Sequence, residues 1–169
     1  CVEDGAIAIR NGRIVSVGLS DDILRRYRAR RYIDASGHIV TPGLVDPHTH
    51  LLYHGSREDE REEILGGVSY GDILARGGGI LRTMRETSKA DREILLTSLA
   101  TRIDALLESG VTTVEVKTGY GLSPRDEARL LEILGEAVKA SRVDIVPTLL
   151  AHVPMPGVDF KTLVEAYRD

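Results

Sequence analysis

The chain has 169 residues, of which 42% are hydrophobic and 28% charged, and its formal charge is −4. These are globular values, and the length allows one ordinary domain with a sizeable core. No run approaches the roughly 20 apolar residues that span a bilayer. One Phe and no Trp argue against a stacking platform for nucleic acid. Residues Cys1 to Gly5 lack the basic and apolar regions of a signal peptide. Cys1 is not an initiator, so processing or preceding residues are expected. A lone cysteine excludes an internal disulfide and suits a reducing cytoplasm, the expected location.

In chain order, residues 5 to 18 read as a β-hairpin, because Asn11-Gly12 joins two short β-prone runs. A short helix is expected from about Asp21 to Tyr27. The basic run Arg25–Arg31 reads as a solvated face, with a phosphate patch as the other possibility. Tyr32–Ala35 reads as a strand and Ser36-Gly37-His38 as a turn. Residues 1–38 together form a small β-rich unit.

From Ile39 the pattern changes to an apolar run that ends in Asp46-Pro47-His48-Thr49-His50. A polar stretch follows to Arg76, then Gly77-Gly78-Gly79 as a turn and a helix from Ile80. Ser88 and Asp91 stand where the next helix would be capped and would carry its first-turn acid. Leu95, Leu99, Ile103, Leu106 and Leu107 form its apolar stripe, and Gly110 stops it. Val111–Lys117 is a strand. Ser123-Pro124 caps a helix marked by Leu130, Leu131, Ile133, Leu134, Ala137 and Val138. Val143–Leu150 is a further strand, and another helix begins at Phe160.

Alternating strands and helices predict an α/β fold with a parallel sheet, either a barrel or a doubly wound sheet. In such folds reactive groups gather at the carboxyl ends of strands. Three readable ends carry polar groups: His48 and His50, then Glu115 to Tyr120, then His152. On a strand, residues two apart share a face roughly 6–7 Å from each other. Two imidazoles so placed can converge on one zinc or iron ion. In a bare pair of this kind, one histidine is more often a structural strand-end residue bonded to backbone.

The segment Pro42-Gly43-Leu44-Val45-Asp46-Pro47-His48-Thr49-His50 resembles the first-strand motif of the amidohydrolase superfamily. That resemblance implies a partial (β/α)8 TIM-type barrel over residues 39–169, holding the first three or so strand-helix units, preceded by part of a small β-sandwich over 1–38. It implies that His48 and His50 are metal ligands to one divalent ion, Zn or Fe, which activates water for attack on a carbonyl or amidine carbon. Within the superfamily, His54-Gly55-Ser56-Arg57-Glu58, Tyr70, Gly77-Gly78-Gly79-Ile80, the run from Gly110 to Gly121 and Leu150-Ala151-His152 are similar to the imidazolonepropionase family. Around Leu149–Pro154 the chain is one residue shorter than the family pattern.

The family resemblance implies hydrolysis of 4-imidazolone-5-propanoate to N-formimidoyl-L-glutamate in histidine degradation. By the same resemblance Arg57, Tyr70, Tyr120 and His152 bind the substrate, a small molecule with a carboxylate tail. An arginine suits that tail and a tyrosine offers a flat face with a hydroxyl. Taken singly, Arg57 also reads as a solvated charge, Tyr70 as packing and His152 as a satisfied histidine. Glu115 and Lys117 read as a buried pair, with a carboxylated-lysine metal bridge as the lesser alternative.

Two histidines are too few to hold such an ion. The superfamily draws a further histidine, an aspartate and its acid-base groups from later strands. His38 precedes the barrel, whereas His54 lies on a loop near enough to be considered. A complete barrel needs roughly 250 residues, so no catalytic acid or base is identifiable here, and the chain alone is expected to be inactive. The expected partners exclude nucleic acid and membrane, and a homodimeric parent enzyme is compatible with the resemblance. Two other readings stay open: a different metal-dependent amidohydrolase acting on a cyclic amide or aminated heterocycle, and a non-catalytic α/β module with structural histidines.

Overall fold

The computed structural model describes residues 1–153 and 160–166. The chain divides into two compact units, Cys1–Thr41 and Pro42–Asp169.

In the first unit, β1 (Gly5–Arg10) and β2 (Arg13–Leu19) pair antiparallel, with Ile7 opposite Val17. Asn11 and Gly12 both have positive φ, 53° and 71°, the geometry of the tight turn that Asn-Gly favours. Helix α1 (Ser20–Arg26) follows, and its Ile23 is buried against the hairpin near Gly18. Beyond Arg26 the basic run is irregular and largely exposed. The strand expected over Tyr32–Ala35 does not form. Tyr32 and Ile33 are 61% and 79% exposed, and a strand needs a neighbour to take its backbone hydrogen bonds. Asp34 instead accepts from the Ser36 amide and hydroxyl, and the turn over Ser36-Gly37-His38 is present.

The second unit is built on a parallel sheet of β3 (Leu44–Thr49), β4 (Val111–Lys117) and β5 (Asp144–Thr148), with β4 central. The first strand begins at Leu44 rather than in the Ile39-Val40 run. Its register with β4 breaks between Asp46 and Thr49, where Pro47 has no N–H to give. Gly43 lies so close to β4 that a Cβ there would sit 2.0 Å from the Thr112 Oγ1.

Between β3 and β4 the polar stretch resolves into α2 (Glu58–Leu65) and α3 (Tyr70–Ala75), followed by α4 (Ile80–Lys89) and α5 (Arg92–Glu108). Helix α2 opens with three acids, which its N-terminal dipole favours. Ser69 caps α3 by accepting from the Asp72 amide. The residue ahead of α5 is Asp91, in extended backbone without a side-chain cap bond. Ser88 is not that cap, because it lies inside α4. Gly110, at φ 90°, ends α5 as expected. Helix α6 (Pro124–Ala140) is capped by Ser123 with proline at its start, and α7 (Phe160–Ala166) follows β5.

The core lies between the sheet and helices α5 and α6. Leu95 and Leu99 from α5, Val114 and Val116 from β4, and Leu130 and Leu134 from α6 are all buried to 1% or less. Alternation along β4 sends Thr113, Glu115 and Lys117 to the opposite face, where they are only half-buried. Both edge strands expose apolar side chains, with Val45 63% and Val146 52% exposed. Parallel sheets are ordinarily covered on both faces. The architecture is thus mixed α/β, with a three-stranded parallel sheet in the second unit and an antiparallel hairpin in the first.

Candidate active site

The carboxyl ends of the three parallel strands bring one set of rings together. His48 is the penultimate residue of β3, and His50 follows its end. Thr49, between them, turns the other way and donates its hydroxyl to the Glu115 carbonyl at 2.6 Å. The two histidine rings are 5.8 Å apart at 63°. His50 also lies 5.2 Å from His152, beyond β5, and 5.4 Å from Tyr120, beyond β4.

His50 carries the clearest ligand signature. Its Nδ1 is buried and has no hydrogen-bond partner among the described residues. Burial depresses its pKa below the usual imidazole range, reinforced by His152 and His48, while a backbone hydrogen bond at Thr118 opposes the shift. The neutral ring so favoured is the form that binds metals. The pair thus fits half of a metal site. Among the described residues no group of three or more potential ligands converges, and His54 joins no such group. The His54 amide instead donates to the Thr87 hydroxyl.

Beside the rings is a cavity of about 600 Å³ lined by Tyr53, Ser56, Arg57, Arg61, Arg102 and Tyr120, among others. Arg57 precedes α2 and Arg61 lies one turn into it. Neither makes an ion pair among the described residues, whereas Arg82 bridges Asp59 and Glu86. Tyr120 belongs both to the ring cluster and to the cavity wall. Burial pushes its hydroxyl pKa up, with Arg57 pulling the other way, so the group stays a proton donor at neutral pH.

Of the substrate-binding candidates, then, Arg57 and Tyr120 share the cavity, and His152 is exposed with its ring tilted at 37° to that of His50. Tyr70 is not a lining residue. It opens α3, is 46% exposed, and its hydroxyl lies against Gly79. The Glu115–Lys117 pair forms at 2.5 Å with side chains 21% and 14% exposed, and Thr148 donates to Glu115 at 2.7 Å. The Lys117 amine is thus engaged by Glu115.

Sequence reasoning missed Tyr53, Arg61, Arg102 and Glu127. Two of them left a signal. Arg102 falls three residues after Leu99 and seven after Leu95, and Glu127 falls three before Leu130 and seven before Leu134. Each is a charged residue at a position of a buried helical stripe. The Arg102 guanidinium donates to the Leu51 and Tyr53 carbonyls, and the Glu127 carboxylate is 1% exposed.

Histidine and tyrosine rings at the carboxyl ends of parallel strands, beside a cavity whose Arg57 and Arg61 make no ion pair among the described residues, have the layout of a β/α enzyme site. Comparison with known proteins points to one family. The chain is 47% identical over 161 residues to the imidazolonepropionase of Haloarcula marismortui, covering 93% of this chain and 38% of that protein. It is 48% identical to that of Pyrobaculum arsenaticum, over 92% of this chain and 39% of the relative. It is 49% identical to that of Alkaliphilus metalliredigens, over 91% and 37%. No family model matches. The chain is a homologue of the N-terminal part of the imidazolonepropionases and spans less than two fifths of the length of these relatives.

Proposed function

We propose that the complete protein carrying these residues hydrolyses the ring amide of 4-imidazolone-5-propanoate, giving N-formimidoyl-L-glutamate in histidine degradation. The observation that carries this reading is the shared position of Tyr120, 5.4 Å from His50 on one side and on the wall of the Arg57 cavity on the other. A ring held against Tyr120 has its scissile bond toward the histidines and its tail toward the arginines.

In this reading the parallel sheet is the opening part of a (β/α)8 barrel, and later strands complete the site. His48 and His50 hold one divalent ion, zinc or iron, and the orphaned Nδ1 of His50 supports that assignment. Such an ion polarises a carbonyl and lowers the pKa of water. The residues of this chain do the rest of the binding. Arg57 takes the propanoate carboxylate in a two-pronged contact. The Tyr120 hydroxyl donates to the imidazolone ring, and His152 hydrogen-bonds its far edge. Tyr70, at the start of α3 and near enough to Tyr120 to act on its hydroxyl electrostatically, adds a further hydroxyl on that side of the site. Hydrolysis adds water to the ring carbonyl and breaks its C–N bond. The nitrogen takes one proton from the added water, and the former carbonyl carbon, still bonded to the rest of the opened ring, becomes a second carboxylate as the other proton is released.

Arg57→Ala in the complete protein tests the reading. KM for the natural substrate should rise about 10- to 100-fold, the worth of a charged hydrogen-bonded contact. A ring analogue without the carboxylate tail should be turned over as poorly by the variant as by the wild type. Equal losses on both compounds, or no hydrolysis by the wild type, would rule it out.

A further inference from the structure

Glu127 is a nearly completely buried carboxylate that no step of the proposed reaction uses. Burying such a group is costly unless hydrogen bonds compensate. Its bonds are specific: Oε2 accepts from the Gly119 amide at 2.9 Å, and Oε1 accepts from the Gly121 amide at 2.5 Å. Those two residues flank Tyr120. The start of α6 does not need Glu127 for capping. Ser123 accepts from the Asp126 amide, and Asp126 in turn accepts from the Leu122 amide and the Ser123 hydroxyl.

The two glycines fit this arrangement. Gly119 has φ 121°, and a Cβ there would lie 2.8 Å from the His152 Cβ. A Cβ on Gly121 would lie 2.8 Å from both the Glu127 amide nitrogen and its Oε1. Gly119-Tyr120-Gly121 is therefore a loop with no side chain on either shoulder, pulled onto one carboxylate from below and seated against His152.

We propose that Glu127 is the positioning residue of Tyr120: by gripping both neighbouring amides it fixes where the tyrosine stands relative to His50, His152 and the cavity. This rests on the functional reading above for its kinetic consequence, but its structural half stands apart from it. A carboxylate suits the task because both oxygens accept. A glutamine would present one acceptor and one donor, leaving one glycine amide facing an N–H.

The test uses the complete protein labelled with 3-fluorotyrosine, the Tyr120 resonance being assigned through Tyr120→Phe. Glu127→Gln should shift or broaden that resonance. It should also raise KM about tenfold, with a smaller change in kcat, as expected when a binding group is displaced rather than lost. Adding Glu127→Gln to Tyr120→Ala should then change KM no further, because the residue it acts through is gone. Gly121→Ala, which pushes on the same grip with Glu127 intact, should reproduce the resonance change if Glu127→Gln folds poorly. An unmoved Tyr120 resonance in both variants, or KM effects that multiply in the double variant, would overturn the assignment. If the wild type leaves the imidazolone intact, the functional reading fails, while the fluorine spectrum still judges the grip.

Discussion

The Arg102 guanidinium lies 3.6 Å from the centre of the Tyr53 ring and donates to the carbonyls of Leu51 and Tyr53 at 2.9 Å each. One side chain of α5 thus ties down the segment that leaves β3 just after His50. Tyr53 in turn stands edge-on to Tyr120 at 6.2 Å. Replacing Arg102 by Met keeps the apolar stem and removes both donated bonds and the cation over the ring. The complete protein should lose about 2 kcal/mol of stability, visible as a drop of several degrees in apparent Tm. An unchanged unfolding midpoint would show that Arg102 is not the tie.

Metal content separates the two uses of the strand-end histidines. His50→Asn should leave the complete protein with a small fraction of the roughly one equivalent of zinc or iron expected in the wild type. His48→Asn should do the same. Elemental analysis after dialysis reads the result. Full retention of metal by both variants would remove the pair from the ligand set and return it to a structural role.

Acid sensitivity follows from Glu115. Hydrogen bonds from Lys117 and Thr148 hold its carboxyl below the ordinary value of 4.5, against a small opposing effect of burial. Its folded pKa is depressed, so the unfolded chain binds the proton more readily. The contribution to stability is then fully present above about pH 4.5 and lost as pH falls through the lower folded value. Lys117→Met should flatten this acid limb in unfolding curves taken between neutral pH and pH 3. A limb of unchanged steepness would mean that the pair does not hold the carboxylate down.

Much of the second unit was legible before any coordinates. The stripe Leu95, Leu99, Ile103 and the stripe Leu130, Ile133, Leu134 each repeat at helical spacing, and their buried faces follow directly. Asn11-Gly12 dictated its turn because those residues tolerate positive φ. The strand expected over Tyr32–Ala35 failed for the opposite reason. A strand depends on a partner that local propensity does not supply. Helices α2 and α3 were hidden in a polar stretch because part of their anchorage is the buried Glu60 carboxylate. It accepts from the Gly79 amide at the start of α4, a contact invisible to hydropathy.

The sequence by itself determined the chemistry on offer: two imidazoles two residues apart at the end of β3, tyrosine between glycines after β4, histidine after β5, and an arginine ahead of α2. Local periodicity and turn residues carry that information, since each depends on neighbours within a few positions. Only the tertiary structure decided which of these groups meet. Tyr120 became the link between ring cluster and cavity, Tyr70 was left off the cavity wall, and Glu127 and Arg102 emerged beneath the loops they hold. Those relationships join residues far apart along the chain or set by a loop's path. Parallel pairing and helix packing create them, and no local pattern encodes them.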